Sequence, residues 1–122
     1  MDDRARPQER RNSVRLDASC PCTYTRFDGQ GRPLSQRPSR SLDLSLSGVR
    51  LQSSFPVDLG EMLKITMALG DDLVTFKGEV VYVTHSEQQG FDFGLSIKDI
   101  GKMDKIALTR YIYYFKPSKS TQ

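Results

Sequence analysis

Residues Ser41–Ser54 read "SLDLSLSGVRLQSS", and the spacing of their leucines sets the architecture. Leu42, Leu44 and Leu46 alternate with Asp43, Ser45 and Ser47, the period of two expected of a strand with one buried face. Gly48 interrupts the alternation, and Val49 and Leu51 resume it in the opposite phase. A glycine at such a phase flip marks a β-bulge or tight turn, because it accepts backbone geometry that a side chain would obstruct.

The same period extends outward in both directions. Upstream, Leu16, Ala18, Cys20, Cys22 and Tyr24 alternate with Asp17, Ser19, Pro21, Thr23 and Thr25, which predicts a half-buried strand. Pro21 cannot donate to a ladder, so an edge or bulged strand is expected there. The stretch "DGQGRPLSQRPS" (Asp28–Ser39) gathers glycine, proline and serine and predicts a turn or long hairpin loop. Downstream, "FPVDLGE" is a turn, and Met62–Leu69 is a strand with Leu63, Ile65, Met67 and Leu69 inward. "GDD" then makes a hairpin to a strand over Leu73–His85, and a last strand covers Phe91–Ile97.

The final segment changes period. From Lys102 to Phe115, Met103, Ile106, Ala107, Tyr111 and Tyr114 recur at helical spacing, with Leu108, Ile112 and Phe115 on a neighbouring stripe. Pro117 stands just past the end. Five to seven strands joined by short links cannot form a parallel sheet, whose crossovers are long. The expected fold is mainly β: a small antiparallel barrel whose one helix covers an opening or edge. One domain over residues 10–116 is expected, with 1–9 and 117–122 as tails. Residues 1–13 are polar and lack an apolar period, so they are expected to be flexible in the free protein.

A chain of 122 residues holds one core and leaves little room for a second. No stretch approaches the roughly 18 consecutive apolar residues of a membrane span, and "MDDRARPQERR" lacks the apolar core of a secretory signal. A cytoplasmic location without membrane insertion is therefore expected. Cys20 and Cys22 are alternate residues of a predicted strand, about 6.5–7 Å apart, which suits a disulfide poorly. With His85 as the only histidine and no partner motif, no metal site is expected. There is also no Ser–His–Asp spacing and no phosphate-cradling glycine loop, so the chain is not expected to be an enzyme.

Charge is unevenly placed. Ten of the eleven arginines lie in residues 1–50, and all seven lysines come after position 60. The first fifty residues have ten basic against six acidic side chains, and the remainder has eight against nine. Arginine is favoured over lysine where phosphate or guanine is held by a planar fork. An overall charge of only +3 suits a small anionic ligand at least as well as a long polyanion.

Two motifs share that arginine-rich half. One is Arg11-x-x-x-Arg15, preceded by Arg10, in "ERRNSVR". The other is Asp43-x-Ser45-x-x-Gly48. A carboxylate can accept two hydrogen bonds from the N1–H and exocyclic amine of guanine, and an arginine can donate two to N7 and O6. A guanidinium can instead stack on the purine or hold a phosphate. In an extended chain Arg11 and Arg15 would stand about 13 Å apart. Both therefore reach one compact ligand only if the segment curves around it.

"ERRNSVRL" followed by "LDLSLSGVRL" resembles the two-part signature of PilZ domains, bacterial receptors for cyclic di-GMP. The later "FDFGLSI" strand, the terminal helix and the length resemble a stand-alone PilZ domain as well, over roughly residues 9–115. The resemblance implies a six-stranded antiparallel β-barrel with a C-terminal α-helix, and an N-terminal arm that clamps the ligand against the outer face. It implies that Arg11 and Arg15 engage guanine and phosphate, and that Arg10 assists and helps decide between one ligand and an intercalated pair. Asp43 and Ser45 would hold a guanine edge and Gly48 would shape the strand. Either Arg10 or Arg11 could be the deeper contact, and Arg40 is a further candidate.

A receptor of this kind needs no cofactor and passes its signal to an unidentified effector protein. The sequence leaves the output open among motility, biofilm or polysaccharide export, adhesion and virulence. A rival reading is a small barrel that binds single-stranded nucleic acid. It would need aromatic side chains such as Phe76, Phe91 and Phe93 on an exposed face. The alternation assigns these to the core, so nucleic acid is not the expected partner.

Overall fold

Strands that are apolar on one side bury those sides together when the sheet rolls up and closes on itself. The computed structural model, which describes residues 14–88 and 90–114, has the strands β1 (Leu16–Asp17), β2 (Pro21–Phe27), β3 (Pro33–Leu44), β4 (Gly48–Ser53), β5 (Met62–Leu69), β6 (Asp72–Ser86) and β7 (Gly90–Ile100). The helix α1 (Lys102–Tyr114) follows. All pairings are antiparallel. The sheet runs β3-β2-β5-β6-β7-β4 and closes through β3–β4, giving a six-stranded barrel to which β1 is appended at the end of β3.

The inward positions follow the alternation except in β3, where the bulge between Ser41 and Asp43 buries both of those residues with Leu44 and leaves Leu42 only partly buried, outside the core cluster. Leu63, Ile65, Met67 and Leu69 from β5, Val74, Phe76 and Val80 from β6, and Phe93 and Leu95 from β7 are buried together with Leu44, Val49 and Leu51. Tyr24 lies fully buried among them. Its ring meets Phe93 edge-on at 5.5 Å, and its hydroxyl lies 3.3 Å from the Phe55 carbonyl it donates to. Phe76 and Phe93 thus belong to the core, and Phe91 stacks on His85 at 4.6 Å. Cys20 and Cys22 are free thiols, both buried.

Three expectations change. The strand expected over Leu16–Thr25 is split, because β1 pairs with Leu44 and Asp43 while β2 resumes opposite Arg40. Between them the buried Ser41 side chain takes over the ladder: its Oγ accepts from Cys20 N at 2.9 Å and donates to the Ala18 carbonyl. Pro21 does not mark an edge, since β2 is paired on both sides; it is the first residue of its strand, where a missing N–H is tolerated. The loop expected over Asp28–Ser39 shrinks to a turn at Asp28–Arg32, whose Asp28 carboxylate accepts from the Gln30 and Arg32 amides at 2.8 and 2.9 Å. Pro33–Ser39 is strand, and Pro38 lies past the last β3–β4 pair at Arg40 and Gln52.

In α1 the second stripe is the inner one. Leu108 and Ile112 are buried, Ala107 and Tyr111 pack partly against the core, and Met103, Ile106 and Tyr114 face solvent. Phe115 lies outside the described residues. The barrel closes through β3–β4, and α1 packs on β6 and β5 rather than on an edge strand.

Leu108→Ala should lower unfolding free energy by about 2–5 kcal/mol, read as a shift in urea midpoint at unchanged slope. Burial also pushes the Cys22 thiol from its ordinary 9.0 up to about 11. The folded state therefore holds that proton more tightly than the unfolded chain. The resulting stability is complete below about pH 9 and is lost as pH rises through about 11. Cys22→Ala should flatten that part of the alkaline slope in a urea titration series.

Candidate functional site

The β3–β4 hairpin places the second motif on the outside of the barrel. Its register sets Asp43 opposite Arg50, and β1 sets Asp17 opposite Asp43 on the other side. Arg15 immediately precedes β1 and so lies beside the end of β3. Its Nε donates to Asp43 Oδ1 at 2.9 Å, its Nη2 donates to the same oxygen, and its Nη1 reaches Ser45 Oγ at 3.4 Å. From the opposite side Arg50 Nε donates to Asp43 Oδ2 at 2.9 Å. The Asp43 side chain is only 11% exposed, whereas those of Arg15 and Arg50 remain 47% and 42% exposed.

One carboxylate thus lies between two guanidiniums, and the cluster keeps a net positive charge turned to solvent. The hydrogen bond to Asp43 raises the Arg50 guanidinium above its ordinary value, more than burial lowers it. Half-exposed ion pairs of this kind contribute only about 0–1 kcal/mol each.

The turn beneath the cluster is held by Ser45, which is fully buried. Its Oγ accepts from the amides of Gly48 and Ser47 at 3.1 and 3.3 Å, and its amide donates to the Gly48 carbonyl at 2.8 Å. Here Asp43-x-Ser45-x-x-Gly48 differs from its expected place within one strand: it spans the end of β3, a tight turn and the first residue of β4. Gly48 is required by space, since an added Cβ would stand 2.7 Å from the Leu95 carbonyl oxygen.

Across β7 the same row continues through Gly94, opposite Arg50, to Tyr82 of β6. A Cβ on Gly94 would fall 2.2 Å from Tyr82 Cε2, so the tyrosine ring lies directly over the glycine backbone. Burial raises the Tyr82 phenol, with the Arg50 charge opposing. Arg15, Gly48, Arg50, Tyr82, Gly94 and Ser96 line a cleft of about 310 Å³. A larger concavity of about 430 Å³ lies along α1. The smaller cleft is the candidate site, because charged and aromatic side chains converge there.

Arg15, Asp43, Ser45 and Gly48 are therefore brought together. Arg10 and Arg11 lie outside the described residues. Arg40 is not part of the cluster: its Nε and Nη2 donate to Gln52 Oε1 at 3.1 and 2.7 Å, and its Nη1 to Ser19 Oγ at 3.2 Å. Sequence reasoning missed Arg50 and Tyr82. Arg50 was accessible in principle, since a tight turn at residues 45–47 folds it back against Asp43. Among the described residues no three His, Cys, Asp or Glu side chains gather as a metal site, and no helix is long and apolar enough to cross a membrane.

The PilZ domain family model matches residues 9–114. A search of curated proteins found no match. Among solved structures, the Bacillus subtilis inhibitor of motility MotI/DgrA is similar over 84% of this chain and 49% of its own, at 18% identity and a TM-score of 0.68. The PilZ domain of Escherichia coli YcgR with c-di-GMP is similar over 92% of this chain and 95% of its own, at 15% identity and a TM-score of 0.66. The K. pneumonia MrkH–c-di-GMP complex covers 80% of this chain and 48% of its own, at 14% identity and a TM-score of 0.61. The chain thus spans about half the length of the first and third of these and nearly all of the second.

Removing the buried hydroxyl in Ser45→Ala would leave the Gly48 amide without its acceptor. A loss of about 1–3 kcal/mol is expected, against no more than about 0.5 kcal/mol for Ser47→Ala at the exposed turn. Thermal or urea unfolding of the pair measures the difference.

Proposed function

The chain belongs to the PilZ domain family, and on that premise we propose that it is a receptor for cyclic di-GMP. The observation that carries the reading is the Asp43 carboxylate held between Arg15 and Arg50 on the outer face of the barrel. The fold is shared with proteins whose structures contain c-di-GMP.

The chemistry is an exchange of partners. Cyclic di-GMP carries two phosphodiester charges and two guanines. As the ligand arrives, Arg15 moves from Asp43 to a phosphate or to the N7/O6 edge of a guanine. The Asp43 carboxylate then accepts from guanine N1–H and the exocyclic amine through its two oxygens, one of which also keeps its bond from Arg50. Ser45 fixes the turn so that the carboxylate does not follow Arg15. The face of Tyr82, laid over Gly94 beside Arg50, offers a stacking surface for a base.

Arg10 and Arg11 complete the site in this scheme. The segment that carries them wraps the ligand, and its ordering is the event passed to an effector protein. Binding and release suffice for this role, with no chemical step. The nucleic-acid alternative loses Phe76 and Phe93, two of its three aromatics, because both are buried, and keeps only the half-buried Phe91 stacked on His85.

Calorimetric titration with cyclic di-GMP tests the proposal and reads the stoichiometry of one ligand or two. Arg11→Ala and Arg15→Ala should each weaken binding by about 1.5–3 kcal/mol, which is roughly tenfold to 150-fold. Unchanged affinity in both variants would remove the clamp. Asp43→Ala should narrow the preference for cyclic di-GMP over cyclic di-AMP; a wild-type chain that binds both equally would refute the edge-reading role.

A further inference from the structure

Helix α1 buries Leu108 and Ile112 on its inner side and leaves four large apolar side chains exposed on its outer side. Opposite Leu108 and Ile112, the side chains of Met103, Ile106, Tyr113 and Tyr114 are 73%, 44%, 46% and 75% exposed. Lys102, Lys105 and Arg110 are interleaved with them, all exposed. The only acid of the helix, Asp104, is in its first turn and only partly exposed. Successive residues turn by about 100°, which places Asp104 away from the Lys102–Ile106–Arg110–Tyr113 stripe. The outer face therefore combines apolar anchors with three cations and no anion of its own.

That face is also concave. A depression of about 430 Å³ includes Lys102, Lys105, Ile106 and Thr109. A second of about 260 Å³ lies against Asp72 and Tyr111. Arg110 and Tyr114 line both, so the two adjoin.

We propose that this outer face of α1 is the docking surface for a partner protein, which it takes through an acidic segment bearing apolar anchor residues. The proposal rests on the receptor reading, in which the effector needs a surface distinct from the β3–β4 hairpin. Charge complementarity sets the sign of the partner, and the depressions around Arg110 and Tyr114 receive its apolar side chains. An anionic lipid surface fits less well. Lipid-binding clusters typically bring about four to eight basic residues together, whereas this face has three, Lys102, Lys105 and Arg110. Tyr111 on its flank has its hydroxyl 3.3 Å from Cys20 Sγ, in the segment that joins β1 to β2.

The test uses the full chain and two labelled synthetic helices of about 14 residues with identical apolar stripes. One is flanked by glutamates and the other by lysines, and both are titrated by fluorescence anisotropy. The glutamate helix should bind at ~10 μM and the lysine helix at least about tenfold more weakly. Ile106→Asp and the double variant Lys105→Glu/Arg110→Glu should each weaken the glutamate helix by about tenfold or more. Their thermal midpoints and cyclic di-GMP affinities should stay at wild-type values. No binding of the glutamate helix, equal binding of both helices, or binding that survives both variants would overturn the proposal. So would adsorption to phosphatidylserine vesicles in place of peptide binding. A concentration-dependent dimer abolished by Ile106→Asp would give the face to a second copy of the chain and overturn it too. Loss of cyclic di-GMP binding by the wild type, with peptide binding intact, would instead remove the receptor reading and leave the docking face standing.

Discussion

Strand β3 pairs with three neighbours, and the buried hydroxyl of Ser41 reconciles them. The β1–β3 and β2–β3 registers differ by one residue, and a bulge falls in the β3–β4 ladder between Ser41 and Asp43. A uniform strand could not satisfy all of these ladders. Ser41 Oγ takes the bonds that the displaced backbone of Ala18 and Cys20 would otherwise lack, and an unpaired buried amide costs about 1–3 kcal/mol. Closure of the barrel and the approach of β1 to β3 meet at this one residue. The approach of β1 is what carries Arg15 to Asp43.

The binding patch inherits its properties from that corner. Asp43 is nearly buried yet paired on both sides by exposed arginines, so its charge is compensated in the free protein without being withdrawn from reach. Gly48 and Gly94 clear the surface on either side of Arg50, since a side chain at either position would collide with the Leu95 carbonyl or the Tyr82 ring. The result is a shallow cleft lined by Arg15, Arg50 and Tyr82 over the paired backbone of β4 and β7.

Much of the barrel was legible because burial follows local period. Met62–Leu69 and the inward residues of β6 and β7 stand where alternation puts them. The errors have one cause. Proline and glycine were read as punctuation at Asp28–Ser39 and Pro21, whereas pairing on both sides of β2, and on one side of early β3, overrode local preference. Of the site, Arg15, Asp43, Ser45 and Gly48 were visible as motif residues. Tyr82 was hidden because Val74, Phe76 and Val80 set a phase that sends residue 82 inward. The irregular β6–β7 register between Val80 and Tyr82 reverses that phase and turns the ring outward.

The sequence by itself determined the mainly β class, the terminal helix and the two motifs, since each depends on spacing within a single segment. Only the tertiary structure decided which stripe of α1 is buried, that Arg50 completes the Asp43 cluster and that Arg40 does not. Those outcomes depend on the register between strands distant in sequence and on which surface a helix meets. A period of two or of 3.6 says that a side is apolar; it does not say what lies against it.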